Sequence, residues 1–278
     1  MKAHFILTMG RSGSNTLRSM LNQNIEVYNF GEVLGPWTSM RRLRQKLKIL
    51  PQSDEALLDF LLGNSLFQSS FAVVQGLNKR LRGKPVEAKG PMSLKSFGVK
   101  EFSLNMKRYG LIDYLERRPW VKVIGLRRLG VVERMVSTEL LGQTGVVAVA
   151  AEARVKPTYI RIAPHEIAQR LRIIEEENDW LDQMLRALPT TQVYTCTYED
   201  LYSDETTRTA IMAGIFDFLG VKRVSVNTRM GKIVSTPLDQ LITNFDDCLR
   251  AVEGTKYEAM LLAAAGRGLP PEKWSSLR

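Results

Sequence analysis

Only two cysteines and two histidines occur in the 278 residues, and each scarcity closes off a class of chemistry. Cys196 and Cys248 cannot build a disulfide framework, and neither has metal-ligand spacing. Both fall within predicted elements, so buried thiols in a reducing compartment are expected. His4 opens a predicted strand and His165 stands beside Pro164 at a helix start, so both read as structural. No apolar run reaches the ~18 residues of a membrane helix. Met1-Lys2 leads straight into the first predicted strand, which leaves no room for a removable leader, and a cytoplasmic location is expected. Internal repeats and low-complexity tracts are missing as well.

What is present is an ordinary globular composition, 44% hydrophobic, with a formal charge of +10 from 39 basic and 29 acidic residues. Such a charge invites nucleic acid as a partner. The basic residues are dispersed, however, and the clusters at Arg41–Lys48 and Lys79–Lys84 carry no interleaved aromatics. No nucleic-acid partner is expected. The second cluster reads as a solvated face, and the first could line the entry of an anionic ligand.

Four short runs have strand character: His4 to Met9, Phe97 to Phe102, Val121 to Leu126 and Gln192 to Cys196. Helical patterns separate most of them. Helices are expected after Gly13, from Gly130, over Pro164 to Leu188, and over Glu205 to Leu219, Leu238 to Val252 and Lys256 to Ala265. This alternation predicts an α/β fold, a P-loop-like central parallel sheet flanked by helices, with an irregular, mostly helical insertion. The chain is read as a single domain over 1–278, with 33–95 an insertion or acceptor-binding region. The tail after Gly268 reads as a loosely packed terminus.

The segment Phe5-Ile-Leu-Thr-Met-Gly-Arg-Ser-Gly-Ser-Asn-Thr-Leu-Arg-Ser-Met-Leu21 carries the clearest chemistry. A strand runs into a loop of Gly, Ser, Asn and Arg that opens a helix, so backbone N–H groups and a helix N-terminus converge on one spot suited to phosphate. Ser12, Ser14, Asn15 and Thr16 offer short polar groups, and Arg11 adds a positive fork. A capped helix start is the structural alternative. It is not a Walker A loop: Gly10 to Gly13 is too short, and no Lys precedes Thr16. A second phosphate-suited element, Arg127-Arg128 through Ser137, follows the third predicted strand. Arg128 and Ser137 can face one pocket only if the loop folds back over the helix start.

Together these segments resemble the PAPS-dependent sulfotransferases (PAPS is 3′-phosphoadenosine 5′-phosphosulfate), in particular the bacterial branch that includes trehalose and Nod-factor sulfotransferases. The likeness extends through Tyr198-Glu-Asp-Leu201, Phe218-Leu-Gly-Val221 and Leu241-Ile-Thr-Asn-Phe245; residues 35 to 90 match least. The resemblance implies that Arg11, Ser12, Gly13, Ser14, Asn15 and Thr16 bind the 5′-phosphosulfate, and that Arg128 and Ser137 hold the 3′-phosphate. It points to Glu32 as the base, with Glu26 a nearby competitor; Gly31 would allow the turn toward the loop. Arg11 would stabilise the leaving phosphate. Lys100 and Lys232 are weaker candidates for the nucleotide, and the acidic pair Glu199-Asp200 is assigned a structural role. In-line sulfuryl transfer from PAPS to a hydroxyl of a carbohydrate or small metabolite is implied, with no metal. Two other readings share the loop: a non-catalytic anion-binding protein on the same scaffold, and a P-loop-like kinase. Trp37 could stack on a sugar, although packing is the commoner role. Oligomeric state is not legible, and a homodimer is the commonest form open to it.

Overall fold

Lys2–Thr8 forms the central strand, β1, because its apolar residues are claimed from both sides. Ala3, Phe5 and Leu7 enter one apolar cluster while Ile6 enters another. A strand buried on both faces reads as a continuous apolar run, which is why it is plain in the sequence. The computed structural model describes residues 1–46, 50–71, 74, 89, 93–145, 159–228 and 237–266.

Around β1 lie β2 (Val27–Asn29), β3 (Ser96–Phe102), β4 (Val121–Arg127) and β5 (Val193–Thr197), in the order β2-β3-β1-β4-β5 and all parallel. The expected parallel α/β sheet is present, with one strand beyond the four read from sequence. β2 has only three residues, too few to show a period. Chain order places β2 and β3 on one side of β1 and β4 and β5 on the other. The carboxyl ends of β1 and β4 therefore flank the point where connections diverge, the usual ligand position in such sheets.

The helices are α1 (Ser14–Leu21), α2 (Ser39–Lys46), α3 (Asp54–Gly63), α4 (Ser103–Arg108), α5 (Val131–Thr144), α6 (Ile167–Arg186), α7 (Tyr198–Ser203), α8 (Glu205–Leu219), α9 (Leu238–Leu241), α10 (Phe245–Ala251) and α11 (Lys256–Ala264). The chain divides into two compact units: Met1–Arg127 with Trp180–Arg229, and Arg128–Asp179 with Met230–Arg278. In the first, Leu17, Met20 and Leu21 of α1 and Met212, Ile215, Phe216 and Leu219 of α8 cover one sheet face. Leu57, Leu58, Leu61 and Leu62 of α3, with Leu181, Met184 and Leu185, cover the other. Each such buried side chain contributes about 1.5–3 kcal/mol, so the sheet is a firm base for the loops at its rim.

The second unit has its own core, built from Val132, Met135, Val136 and Leu140 of α5, Leu171, Ile242, Phe245 and Leu261. Here the expected helix Leu238 to Val252 is interrupted. Ile242 forms a parallel bridge with Ile160, and the Asn244 side chain both accepts from Ile162 N (3.1 Å) and donates to Ile162 O (2.7 Å). These pairings offer the backbone partners that a continuous helix would have supplied. Apolar spacing could not reveal the break, because both pieces present the same face. The tail after Gly268 and most of the Gly142 to Tyr159 connection lie outside the described residues.

Candidate active site

The β1–α1 loop folds tightly against the sheet. Ser12 Oγ lies 2.5 Å from Thr8 Oγ1 and 2.7 Å from Met9 O, while Thr8 Oγ1 donates to Leu126 O at 2.9 Å. The Ser12 hydroxyl is thus engaged in closing the loop. Arg11 adopts a left-handed backbone, φ 61°, the one such non-glycine among the described residues. Strain of this kind persists only where the surroundings enforce it. Gly13, at φ 77°, caps α1 with no side-chain hydrogen bond to the cap. Its carbonyl accepts from Thr16 N at 2.9 Å, which starts the helix.

Lys100 rises beside this loop from the carboxyl end of β3. Its ammonium is buried and contacts Asn15 Oδ1 at 3.1 Å, Ser14 Oγ at 3.5 Å and Glu32 Oε1 at 2.5 Å. Burial pushes the Lys100 pKa down, and the Glu32 carboxylate works against that shift. Glu32 reaches this position because the chain turns sharply after β2. Gly31 has φ 100°, and a Cβ there would meet the Arg18 guanidinium at 2.4 Å. Arg18 Nη1 donates to Phe30 O at 2.9 Å, so α1 itself supports the turn. Asn29 adds to it by accepting from Gly31 N (3.1 Å) while its amide contacts His4 Nε2 (3.1 Å).

Glu101, next to Lys100, grips the backbone that follows Glu32. Its Oε1 accepts from Val33 N (2.5 Å) and Leu34 N (2.6 Å), and its Oε2 accepts from Asn105 Nδ2 (2.9 Å). Burial pushes its carboxyl pKa up, and these three hydrogen bonds pull it back. Adjacent residues of one strand therefore hold the 32–34 segment twice, by side chain and by main chain. Sequence reasoning missed Glu101 and Arg18. The available signal was a carboxylate inside an otherwise buried strand, which must find donors.

Tyr198 and Tyr202 of α7, with ring centroids 4.4 Å apart, close the loop from another side. A Cβ on Gly13 would lie 2.6 Å from Tyr198 Cδ2. At this helix start Thr197 Oγ1 accepts from Asp200 N at 3.0 Å and lies 2.6 Å from Asp200 Oδ2. Glu26 stands at the opposite, amino-terminal edge of the sheet. There it pairs with Lys95 (2.6 Å) and accepts from Lys222 N (2.8 Å).

His4 is buried against Ser96 and Asn29, and burial drives its pKa down to about 3. Burial likewise raises the Cys196 thiol to about 12 and raises Cys248. In the second unit, Arg128 precedes α5, and Ser137 lies within it; both are buried. Between them in sequence, Arg134 pairs with Glu177, and burial lowers its pKa with Arg128 adding to the effect. Lys232 lies outside the described residues. Among the described residues no group of three potential metal ligands occurs, and no helix is long and apolar enough to cross a membrane.

The first unit thus places an anion-suited loop, a buried ammonium and a carboxylate in one connected cluster. Such a cluster can stabilise a leaving oxyanion on one side and take a proton on the other.

No protein-family model matches the chain, and no curated protein matches it. Among solved structures it is similar to a sulfotransferase from Alicyclobacillus acidocaldarius, at 15% identity and TM-score 0.43 over 97% of this chain and 98% of that one. It is also similar to the sulfotransferase domain of the Synechococcus PCC 7002 olefin synthase, at 16% identity and TM-score 0.43 over 97% of this chain and 88% of that one. The sulfotransferase domain from the curacin biosynthetic pathway is similar at 14% identity and TM-score 0.44, over 97% and 99% of the two chains.

Proposed function

We propose that this protein is a sulfotransferase that moves a sulfuryl group from PAPS to an acceptor hydroxyl, with Glu32 as base. The observation that carries this reading is the position of Lys100, whose ammonium touches both the Glu32 carboxylate and the Ser14–Asn15 start of α1. The resemblance of Arg11 to Thr16 to the 5′-phosphosulfate loop supplies the donor.

In this transfer the acceptor oxygen bonds to sulfur as the bond from sulfur to the 5′-phosphate oxygen breaks. The electron pair stays on the phosphate, and the hydroxyl proton passes to Glu32. Arg11, Lys100 and the N-terminus of α1 stabilise charge on the phosphate, the largest source of rate where little covalent help is available. Arg128 and Ser137 are assigned the 3′-phosphate from the resemblance. No step passes through a metal. The acceptor is a small-molecule or carbohydrate hydroxyl, and the site is proposed to work in the cytoplasm.

Calorimetry with adenosine 3′,5′-bisphosphate tests the nucleotide assignment. Binding in the micromolar range is expected. Arg128→Ala should weaken this ligand far more than 5′-AMP, and equal losses would remove Arg128 from the 3′ site. Turnover of ATP dependent on Mg²⁺, with no bisphosphate binding, would favour a kinase instead.

A further inference from the structure

β1 lies at the centre of the sheet, and from Ala3 to Thr8 it carries one ionisable side chain, His4. The imidazole is wholly buried, and so are its neighbours Ser96 and Asn29. The adjacent strand makes room for it: a Cβ on Gly98 would run into the His4 ring and carbonyl. A polar ring in this place is costlier than an apolar one unless both nitrogens are matched. His4 Nδ1 lies 2.8 Å from Ser96 Oγ, and Nε2 lies 3.1 Å from Asn29 Nδ2.

Asn29 decides which nitrogen holds the proton. Its Oδ1 accepts from Gly31 N at 3.1 Å, and its Nδ2 donates to Val99 O at 3.1 Å. Turning the amide over would set Oδ1 against the Val99 carbonyl and the NH₂ against the Gly31 N–H, so one orientation is open to it. The second hydrogen of Nδ2 therefore points at His4 Nε2, which must accept. The ring proton is then on Nδ1 and is donated to Ser96 Oγ. An imidazolium would face N–H with N–H. Burial, with Lys89 adding to it, keeps the ring neutral at a pKa of about 3. Asn22 fixes the main chain of Asn29 as well, accepting from its N–H (2.7 Å) and donating to its carbonyl (3.0 Å).

The far end of this chain of hydrogen bonds is the Gly31 N–H. β2 ends at Asn29, and the buried Gly31 turns away at φ 100°. Its carbonyl accepts from Lys100 N at 3.0 Å, and the next residue is Glu32. Without an acceptor on Asn29 the peptide that aims Glu32 would lose its partner on one side. We infer that Asn29 and His4 are positioning residues for Glu32, a relay that runs from Ser96 through neutral His4 and Asn29 to the Gly31 N–H. Their role in turnover rests on the sulfotransferase reading above.

Trp37 Nε1 donates to Glu32 Oε2 at 2.6 Å, so its indole N–H signal reports where the carboxylate stands. The chain has four tryptophans and two histidines, and Trp37→Phe and His165→Gln assign the signals in ¹⁵N spectra. Near neutral pH the wild type should show His4 with a protonated Nδ1 and a bare Nε2. Asn29→Ala should move the Trp37 signal upfield and cut sulfuryl transfer from PAPS at least about tenfold, with affinity for adenosine 3′,5′-bisphosphate within about twofold. His4→Leu should act in the same direction, and His4→Gln, which keeps an acceptor near the place of Nε2, should restore both readouts. The tautomer is read on the wild type, so the test stands even where Asn29→Ala does not fold. A protonated Nε2 in the wild type, or a Trp37 signal that stays put in Asn29→Ala, overturns the inference and leaves the sulfotransferase reading intact. A wild type that binds no bisphosphate, with the Trp37 signal still moved by Asn29→Ala, removes that reading and leaves Asn29 and His4 as the groups that set Glu32.

Discussion

The Lys100 ammonium stands 2.5 Å from Glu32 Oε1 and 3.1 Å from Asn15 Oδ1, so one buried cation joins the carboxylate to the start of α1. The two charged partners come from the ends of neighbouring parallel strands, β2 and β3, 68 positions apart in sequence. Desolvating both is costly unless each finds the other, and removing one leaves an unmatched buried charge.

Lys100→Met should therefore cut turnover by about 10²–10³-fold through loss of charge stabilisation on the leaving phosphate. Far-UV circular dichroism should be unchanged at room temperature. Steady-state kinetics check this; turnover within twofold of wild type would place Lys100 outside the chemistry.

Glu101 is expected to position the 32–34 segment. Glu101→Ala strands the N–H groups of Val33 and Leu34, both in buried residues, and should cost about 2–6 kcal/mol at roughly 1–3 kcal/mol per unsatisfied donor. Glu101→Gln keeps an acceptor oxygen and should recover most of the stability and activity. Urea denaturation alongside kcat separates the two variants, and equal damage from both would argue against a positioning role.

Gly13→Ala meets two obstacles, the left-handed backbone and the Tyr198 ring 2.6 Å from the new Cβ. A destabilisation of about 1–3 kcal/mol is expected. Adding Tyr198→Ala should return only the steric part, because the backbone strain stays. A double-mutant cycle in thermal unfolding measures that coupling.

His4 makes stability depend on pH. Its pKa is about 3 in the folded chain against 6.5 for the unperturbed group. The folded state therefore binds fewer protons between these values. Its contribution is fully present above pH 6.5 and is lost as pH falls toward 3, by about 1.4 kcal/mol per pH unit. Going from pH 6.5 to 4.5, the wild type should lose about 2–3 kcal/mol more than His4→Gln. Urea midpoints at the two pH values check the difference, and parallel losses would show that His4 is not held neutral.

Strands buried on both faces were legible because burial itself writes a run such as Phe5-Ile6-Leu7. The three-residue β2 left no such mark, although its turn places Glu32. The helix break at Ile242 to Asn244 was hidden because it is made by pairing with Ile160 and Ile162, about 80 residues away. The loop Arg11 to Thr16 was readable from its glycines and short polar side chains. Lys100 could be read as a charge near the carboxyl end of a strand, but its reach to Glu32 and Asn15 depends on strand order, which no local pattern encodes. Glu101 left only the signal of a carboxylate inside a buried strand; its partners are main-chain N–H groups, which every residue but proline carries, so no pattern names them.

The most direct measurement pairs nucleotide binding with turnover in Glu32→Gln. This variant should bind adenosine 3′,5′-bisphosphate like the wild type in calorimetry, while sulfuryl transfer from PAPS followed by mass spectrometry falls at least a hundredfold. Transfer at the wild-type rate, or a wild-type protein that binds no bisphosphate, would contradict Glu32 as the base of a PAPS-dependent transfer.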